Sequence, residues 1–301
     1  MDSAHMNILM ATMKMDIGGA ETHILELARQ LTREGHQVTV VSNGGAYVPE
    51  LEASGIRHVI APLHDKRPDH LFRSKKILRE LIAGGQYDIV HAHARIPGFL
   101  LGQLHKKMKF TFVSTAHWVF NTKFGLKYLT DWGEKTVAVS EDIKTYLMDH
   151  YGVPSSDIRV TINGIDTDKF SPETDTSDIR REFGLEERDN TIVYISRMDA
   201  SRSLSAKHLI EAVPELDQKI EHLRVVIVGG GDDFARVQSM AEQVNRALGR
   251  NCIVLTGART DINKFAALAK LFIGVSRAAL EAMAAEKPVV IVGNEGYIGL
   301  F

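Results

Sequence analysis

Short runs of β-branched and aliphatic residues alternate with longer stretches of helical period along the whole chain. Residues 8–12 read as a strand. A helix follows, with Ile24, Leu25, Ala28 and Leu31 on one face, and Gly35 ends it. Further strands are expected over 38–41, 89–93, 111–115, 137–139 and 160–162. These runs are continuously apolar rather than alternating, which suits a parallel sheet covered on both faces. Residues 168–190 break the rhythm. They are rich in Asp, Glu, Thr and Ser, contain Pro172, and read as a linker with room for one short helix. A second series then begins. Strands are expected over 192–195, 225–228, 253–255, 271–275 and 289–292, and helices around 209–212 and over 234–248, 261–269 and 277–285. The pattern predicts an α/β protein with two Rossmann-like, doubly wound domains facing a cleft: an N-terminal domain over 6–167, a linker over 168–190 and a C-terminal domain over 191–301.

Composition narrows the classes. A length of 301 residues suits two such domains. The 36 basic and 38 acidic residues leave a net charge of −2, which gives nucleic acid no support as a partner. One cysteine, Cys252, excludes an internal disulfide and fits a reducing compartment. No apolar run is long enough to span a bilayer and no secretory leader pattern opens the chain, so the expected location is the cytoplasm, at most at the inner membrane face. Eleven of the thirteen histidines lie in the first half, so the polar chemistry is unevenly divided.

Gly18 and Gly19 join the first strand to its helix. Two glycines let the backbone approach a ligand, and the helix start offers free N–H groups to an anion or a sugar hydroxyl; a tight strand–helix turn is the plainer reading. The G-x-G-x-x-G pattern is absent here and at Gly229-Gly230-Gly231, and no P-loop occurs. These absences count against dehydrogenases and P-loop nucleotidases.

Several motifs together resemble glycosyltransferase family 4, whose members have the GT-B fold. They are Gly18-Gly19-Ala20-Glu21-Thr22, His91-Ala92-His93, Thr115-Ala116-His117, Val139-Ser140-Glu141, Asn163-Gly164-Ile165-Asp166 with Phe170, and Leu280-Glu281-Ala282-Met283-Ala284 with Lys287-Pro288-Val289-Val290. The last is the most specific. Position agrees with the resemblance, because ligands of open α/β sheets bind beyond the C-terminal strand ends, where Gly18, Gly19, His93, His117, Arg197, Gly229, Gly257 and Ser276 fall.

The resemblance implies a donor site on the C-terminal domain. Arg197 would clamp the diphosphate and stabilise the leaving phosphate. The family usually has a Lys one turn later; Ser201-Arg202-Ser203 stands there instead, so Arg202 or Lys207 is expected to complete the clamp. The helix start at Ser276 and Arg277 would bind phosphate, and Glu281 the ribose hydroxyls. A second family Glu, seven residues before Glu281 with the gap counted between them, falls on Ile273, which leaves the sugar open. His117 is implied beside the donor sugar; the plainer reading is a strand-end cap. His91 and His93 share a strand face, but zinc would need more ligands, and no metal or other cofactor is expected. Asp166-Thr167-Asp168 reads as turn and cap chemistry rather than a metal motif. The basic residues of 66–76 and Lys106, Lys107 and Lys109 could touch anionic lipid, or be solvated surface.

The resulting expectation is a retaining glycosyltransferase. It moves a sugar from a UDP- or GDP-linked donor to an acceptor such as a lipid-linked or cell-surface glycan precursor. A nucleotide-sugar epimerase of the same fold, or a catalytically weak nucleotide-binding or assembly protein, are the alternatives. The tail after residue 292, with Tyr297, Ile298, Leu300 and Phe301, reads as a strand-end loop and as the mark of an incomplete C-terminal domain, with a self-associating apolar edge and weak donor binding.

Overall fold

In the apolar runs 8–11, 38–41 and 225–228 neighbouring residues are buried alike, because helices cover both faces of the sheet there. This is seen in a computed structural model that describes residues 5–162, 164–200, 202–293 and 296–300. The chain divides into two units, Met1–Gly164 and Ile165–Phe301.

The first unit runs β1 (Asn7–Ala11), α1 (Gly19–Arg33), β2 (Gln37–Ser42), α2 (Val48–Ala53), β3 (Arg57–Ile60), α3 (Pro68–Gly85), β4 (Ile89–Ala92), α4 (Arg95–His105), β5 (Thr111–Ala116), β6 (Lys135–Ala138), α5 (Glu141–Tyr151) and β7 (Ile158–Val160). Its seven strands are parallel, in the order β3-β2-β1-β4-β5-β6-β7. Ile8 and Met10 pack with Ile24, Leu25 and Val40 on one face. Leu9 and Ala11 pack with Val90, Leu101 and Phe112 on the other. Strand β3 was not anticipated. It is a sheet edge whose residues are half-buried or exposed, so no continuous apolar run marks it.

The second unit runs α6 (Ser177–Phe183), β8 (Asn190–Ile195), α7 (Leu204–Lys219), β9 (Leu223–Val228), α8 (Phe234–Leu248), β10 (Ile253–Gly257), α9 (Ile262–Leu268), β11 (Leu271–Gly274), α10 (Ser276–Ala284), β12 (Val289–Gly293) and β13 (Gly296–Leu300). The sheet order is β10-β9-β8-β11-β12-β13, parallel except for β13, which runs antiparallel to β12.

Two expectations change. The stretch read as a linker belongs to the second unit: Phe170 is fully buried with Ala266 and Ala285, and Ile179 and Leu185 enter the core beside Phe265 and Phe272. A few apolar side chains in a polar stretch anchor it, too sparsely for periodicity to show. The tail read as a loop contains β13, whose pairing satisfies the edge of β12. Asn294, Glu295 and Phe301 of that tail, and Asn163 and Ser201 of the motifs above, lie outside the described residues.

Candidate active site

In each unit the strand order reverses at one place: between β1 and β4 in the first, between β8 and β11 in the second. Loops leaving the C-terminal ends of these strands diverge to opposite faces and open a crevice, the usual ligand position in such sheets.

In the first unit α1 starts at Gly19, with Gly18, which has no side chain, as N-cap. A Cβ on Gly19 would meet nothing within 4 Å, so the glycine leaves open space. Thr22 fixes the loop by donating its hydroxyl to the Gly18 carbonyl at 2.9 Å.

Four imidazoles gather at the same sheet edge. His91 and His93 leave β4 on one face, their ring centroids 4.0 Å apart. His117 follows β5 and lies near-parallel to His93 at 5.4 Å, with 3.2 Å between His93 Nδ1 and His117 Nε2. His23, one turn into α1, meets the His117 ring edge-on at 4.9 Å. His91 Nε2 is 2.7 Å from the Thr115 hydroxyl. His93 Nε2 is buried without a hydrogen-bond partner among the described residues. Burial, followed by the neighbouring His23 and His91, lowers the pKa of His117 to about 3. Burial and then His23 lower that of His91 to about 3, and His93 is held well below its ordinary value, chiefly by burial. At neutral pH these three rings are uncharged. They can donate or accept a hydrogen bond but cannot supply a positive charge. His23 was missed in the sequence, where nothing distinguishes it from other polar helix positions.

In the second unit Arg197 follows β8 and is exposed. Its loop is zipped to the glycine run: Met198 N–H donates to the Gly230 carbonyl at 3.0 Å, and Asp233 N–H to the Met198 carbonyl at 2.8 Å. Gly229 has φ +142°, and a Cβ there would lie 1.8 Å from the Ser196 carbonyl oxygen. Gly229 is thus required by the approach of two backbones. Gly257, φ +73°, accepts the Gly229 N–H at 2.9 Å and extends this contact to β10.

The two cations expected to complete the clamp both have carboxylate partners. Arg202 lies 3.7 Å from Asp199. Lys207 lies 2.5 Å from Asp233, which also accepts the Ser203 hydroxyl. The hydrogen bonds from Lys207 and then Ser203 hold the Asp233 carboxyl below its usual range. Asp233 was not anticipated; its only mark in the sequence is an acid directly after three glycines and Asp232.

Ser276 opens α10 at φ +59°, a left-handed conformation uncommon for a residue with a side chain, and the N-cap Val275 has no polar side chain to cap the helix. The next residue, Arg277, donates from Nε to Oε1 of Glu281 one turn further on, at 2.8 Å, with both side chains buried (8% and 3% exposed). Two residues read as separate donor contacts are therefore an ion pair. His64 and Asp65 after β3, with His70 of α3, bring potential metal-ligand atoms within 4.8 Å of one another, the one such group among the described residues.

Paired Rossmann-like units with crevices of this kind are the architecture of GT-B glycosyltransferases. The fold is similar to a glycosyltransferase of Rickettsia africae (TM-score 0.76, 22% identity, 96% of this chain and 80% of that one). It is also similar to Anabaena HepE in complex with UDP-glucose (TM-score 0.74, 20% identity, 97% and 82%). Residues 17–169 match glycosyltransferase family 4, and residues 189–298 match the glycosyl transferases group 1. The chain belongs to glycosyltransferase family 4 and is a glycosyltransferase. An uncharacterised glycosyltransferase of Methanocaldococcus jannaschii is 24% identical over 91% of this chain and 76% of its own length. The phosphatidyl-myo-inositol mannosyltransferase of Mycobacterium tuberculosis is 26% identical over 71% of this chain and 57% of its own.

Proposed function

We propose that the chain transfers a glycosyl group, with retention of anomeric configuration, from a UDP- or GDP-linked sugar to an acceptor carried at a membrane surface. The observation that carries the donor assignment is the switch point of the second unit. There the exposed Arg197 and the start of α10, whose N-cap is Val275, leave neighbouring strands, β8 and β11. A guanidinium and the N–H groups of a helix start at one edge suit a diphosphate, whose negative charge grows as the sugar–phosphate bond breaks. Lys207, restrained by Asp233, is the second cation. Glu281, oriented by Arg277, is the ribose contact, and His117, at the first unit's own crevice, offers a neutral hydrogen bond to a sugar hydroxyl. No nucleophilic carboxylate is assigned; the acceptor attacks on the face the phosphate leaves. The M. tuberculosis relative acts on phosphatidyl-myo-inositol, which favours a lipid-borne acceptor.

Calorimetric titration with UDP and GDP tests the donor site. One of them should bind, and Arg197→Ala should weaken that binding. If neither binds, or the Ala variant binds as the parent does, the assignment fails. Incubation with nucleotide sugar alone, followed by mass spectrometry, separates hydrolysis or transfer from the isomerised donor that an epimerase would leave.

A further inference from the structure

The segment between β5 and β6 carries an apolar surface that the donor chemistry does not use. Five large apolar side chains within its twelve residues 118–129 are exposed: Trp118 (71%), Val119, Phe124 (96%), Tyr128 (87%) and Leu129. Water-exposed aromatics usually fold back onto a loop's own base, and here that base is already full. Phe120 stacks on Trp132 with ring centroids 5.3 Å apart, and the Arg95 guanidinium covers Phe120 at 4.9 Å. Arg95 also donates to the Asn121 carbonyl at 2.7 Å, and the Tyr146 hydroxyl donates to the Phe120 carbonyl. The base is therefore tied to α4 and α5, and the tip is held outward.

The tip itself is strained. Phe124 has φ +56° and Gly125 φ +73°, two successive left-handed residues. A bulky aromatic rarely adopts this conformation, and here it points the ring into solvent. Lys123 and Lys127 flank the tip, and no Asp or Glu occurs from residue 117 to residue 130. Trp and Tyr beside lysines, without acids, is the composition that favours the headgroup layer of a bilayer: the rings enter the acyl boundary and the ammonium groups meet anionic headgroups.

We propose that loop 118–129 docks this glycosyltransferase on an anionic lipid bilayer, with Trp118, Phe124 and Tyr128 in the interfacial layer. The loop leaves β5 directly after His117, so docking would hold a lipid-borne acceptor at the edge of the sheet where His117 stands. That last step rests on the reading of His117 above; the docking itself does not. The basic segment 66–76 is a weaker candidate: two of its five Lys and Arg residues pair with acids, Arg67 with Asp69 and Lys76 with Glu80, and it exposes one aromatic, Phe72.

The test is co-sedimentation of the full chain, without donor, with vesicles of phosphatidylcholine alone or mixed with phosphatidylglycerol. Binding to the mixed vesicles is expected, weakened by salt. Of the two tryptophans Trp118 is exposed and Trp132 buried, so emission should shift to the blue and be quenched by brominated acyl chains. Trp118→Phe should remove the shift and keep binding. Phe124→Ser with Tyr128→Ser should lower partitioning about tenfold or more, with an unchanged unfolding midpoint, since both side chains are exposed. No binding to anionic vesicles, equal binding to phosphatidylcholine alone, or binding indifferent to the double replacement would each overturn the proposal. Nucleotide titration without vesicles stands or falls independently of this result.

Discussion

At the scale of single residues, Arg197 and Glu281 were read alike as polar contacts to the donor, and the structure separates them. Arg197 is exposed, so its loss should spare the fold. Charge-assisted hydrogen bonds are worth about 1.5–3 kcal/mol. Arg197→Ala is therefore expected to weaken nucleotide binding about 10- to 100-fold at an unchanged urea midpoint. Glu281 is buried against Arg277. Glu281→Gln removes one charge of a buried pair and should cost on the order of 3–5 kcal/mol of stability. The double variant Arg277→Met, Glu281→Leu removes both charges and should recover most of it. If that stable double variant still binds UDP or GDP as tightly as the parent, Glu281 is a packing residue and not a ribose contact.

Two glycines at strand–helix turns show how elements set the meaning of a residue type. Gly19 begins α1 with empty space where a Cβ would stand, whereas Gly229 sits under the Ser196 carbonyl at positive φ. Gly19→Val should leave the denaturation midpoint nearly unchanged and lower turnover by filling the crevice. Gly229→Ala combines a disfavoured φ with a backbone clash and should destabilise the second unit by about 1–3 kcal/mol or more. Denaturation curves of the two variants side by side check both statements; equal effects would refute the distinction. The glycine run, read as a ligand loop, is thus first the device that brings the Arg197 loop to its place.

Across the whole molecule, titration is lopsided: eleven of the thirteen histidines precede residue 165, and the strongly shifted ones cluster at the β4–β5 edge. Their folded pKa values lie below the unfolded value of 6.5, so the unfolded chain binds more protons between those limits. The stability they permit is complete above about pH 6.5 and falls as pH drops toward 3, by at most about 1.4 kcal/mol per pH unit for each ring. Amide exchange at pH 5.5, compared with pH 7.5 and corrected for intrinsic rates, should therefore show loosening of β1, β4 and β5 and little change in β8, β9 and β11. Uniform loosening of both sheets would show that the histidines are not its cause.

The order of elements and the two-unit plan were legible because long apolar runs bury both strand faces and because motifs such as Leu280–Ala284 sit at fixed places in that order. Local chemistry was legible too: Asp166 accepts the N–H groups of Asp168 and Lys169, the turn its position suggested. Three kinds of information were not. Edge strands β3 and β13 owe their existence to the partner strand that satisfies their backbone, and they carry little periodic signal of their own. The polar stretch 168–190 joins the second core through a few side chains whose targets lie about a hundred residues further on. Pairings across the fold, such as His23 with His117 and Lys207 with Asp233, depend on which strands lie side by side. The sequence by itself determined which residues could be buried and which loops carry charge. Only the tertiary structure decided which of those charges meet, because the distance between two side chains is set by the crossing of the strands beneath them and not by their separation along the chain.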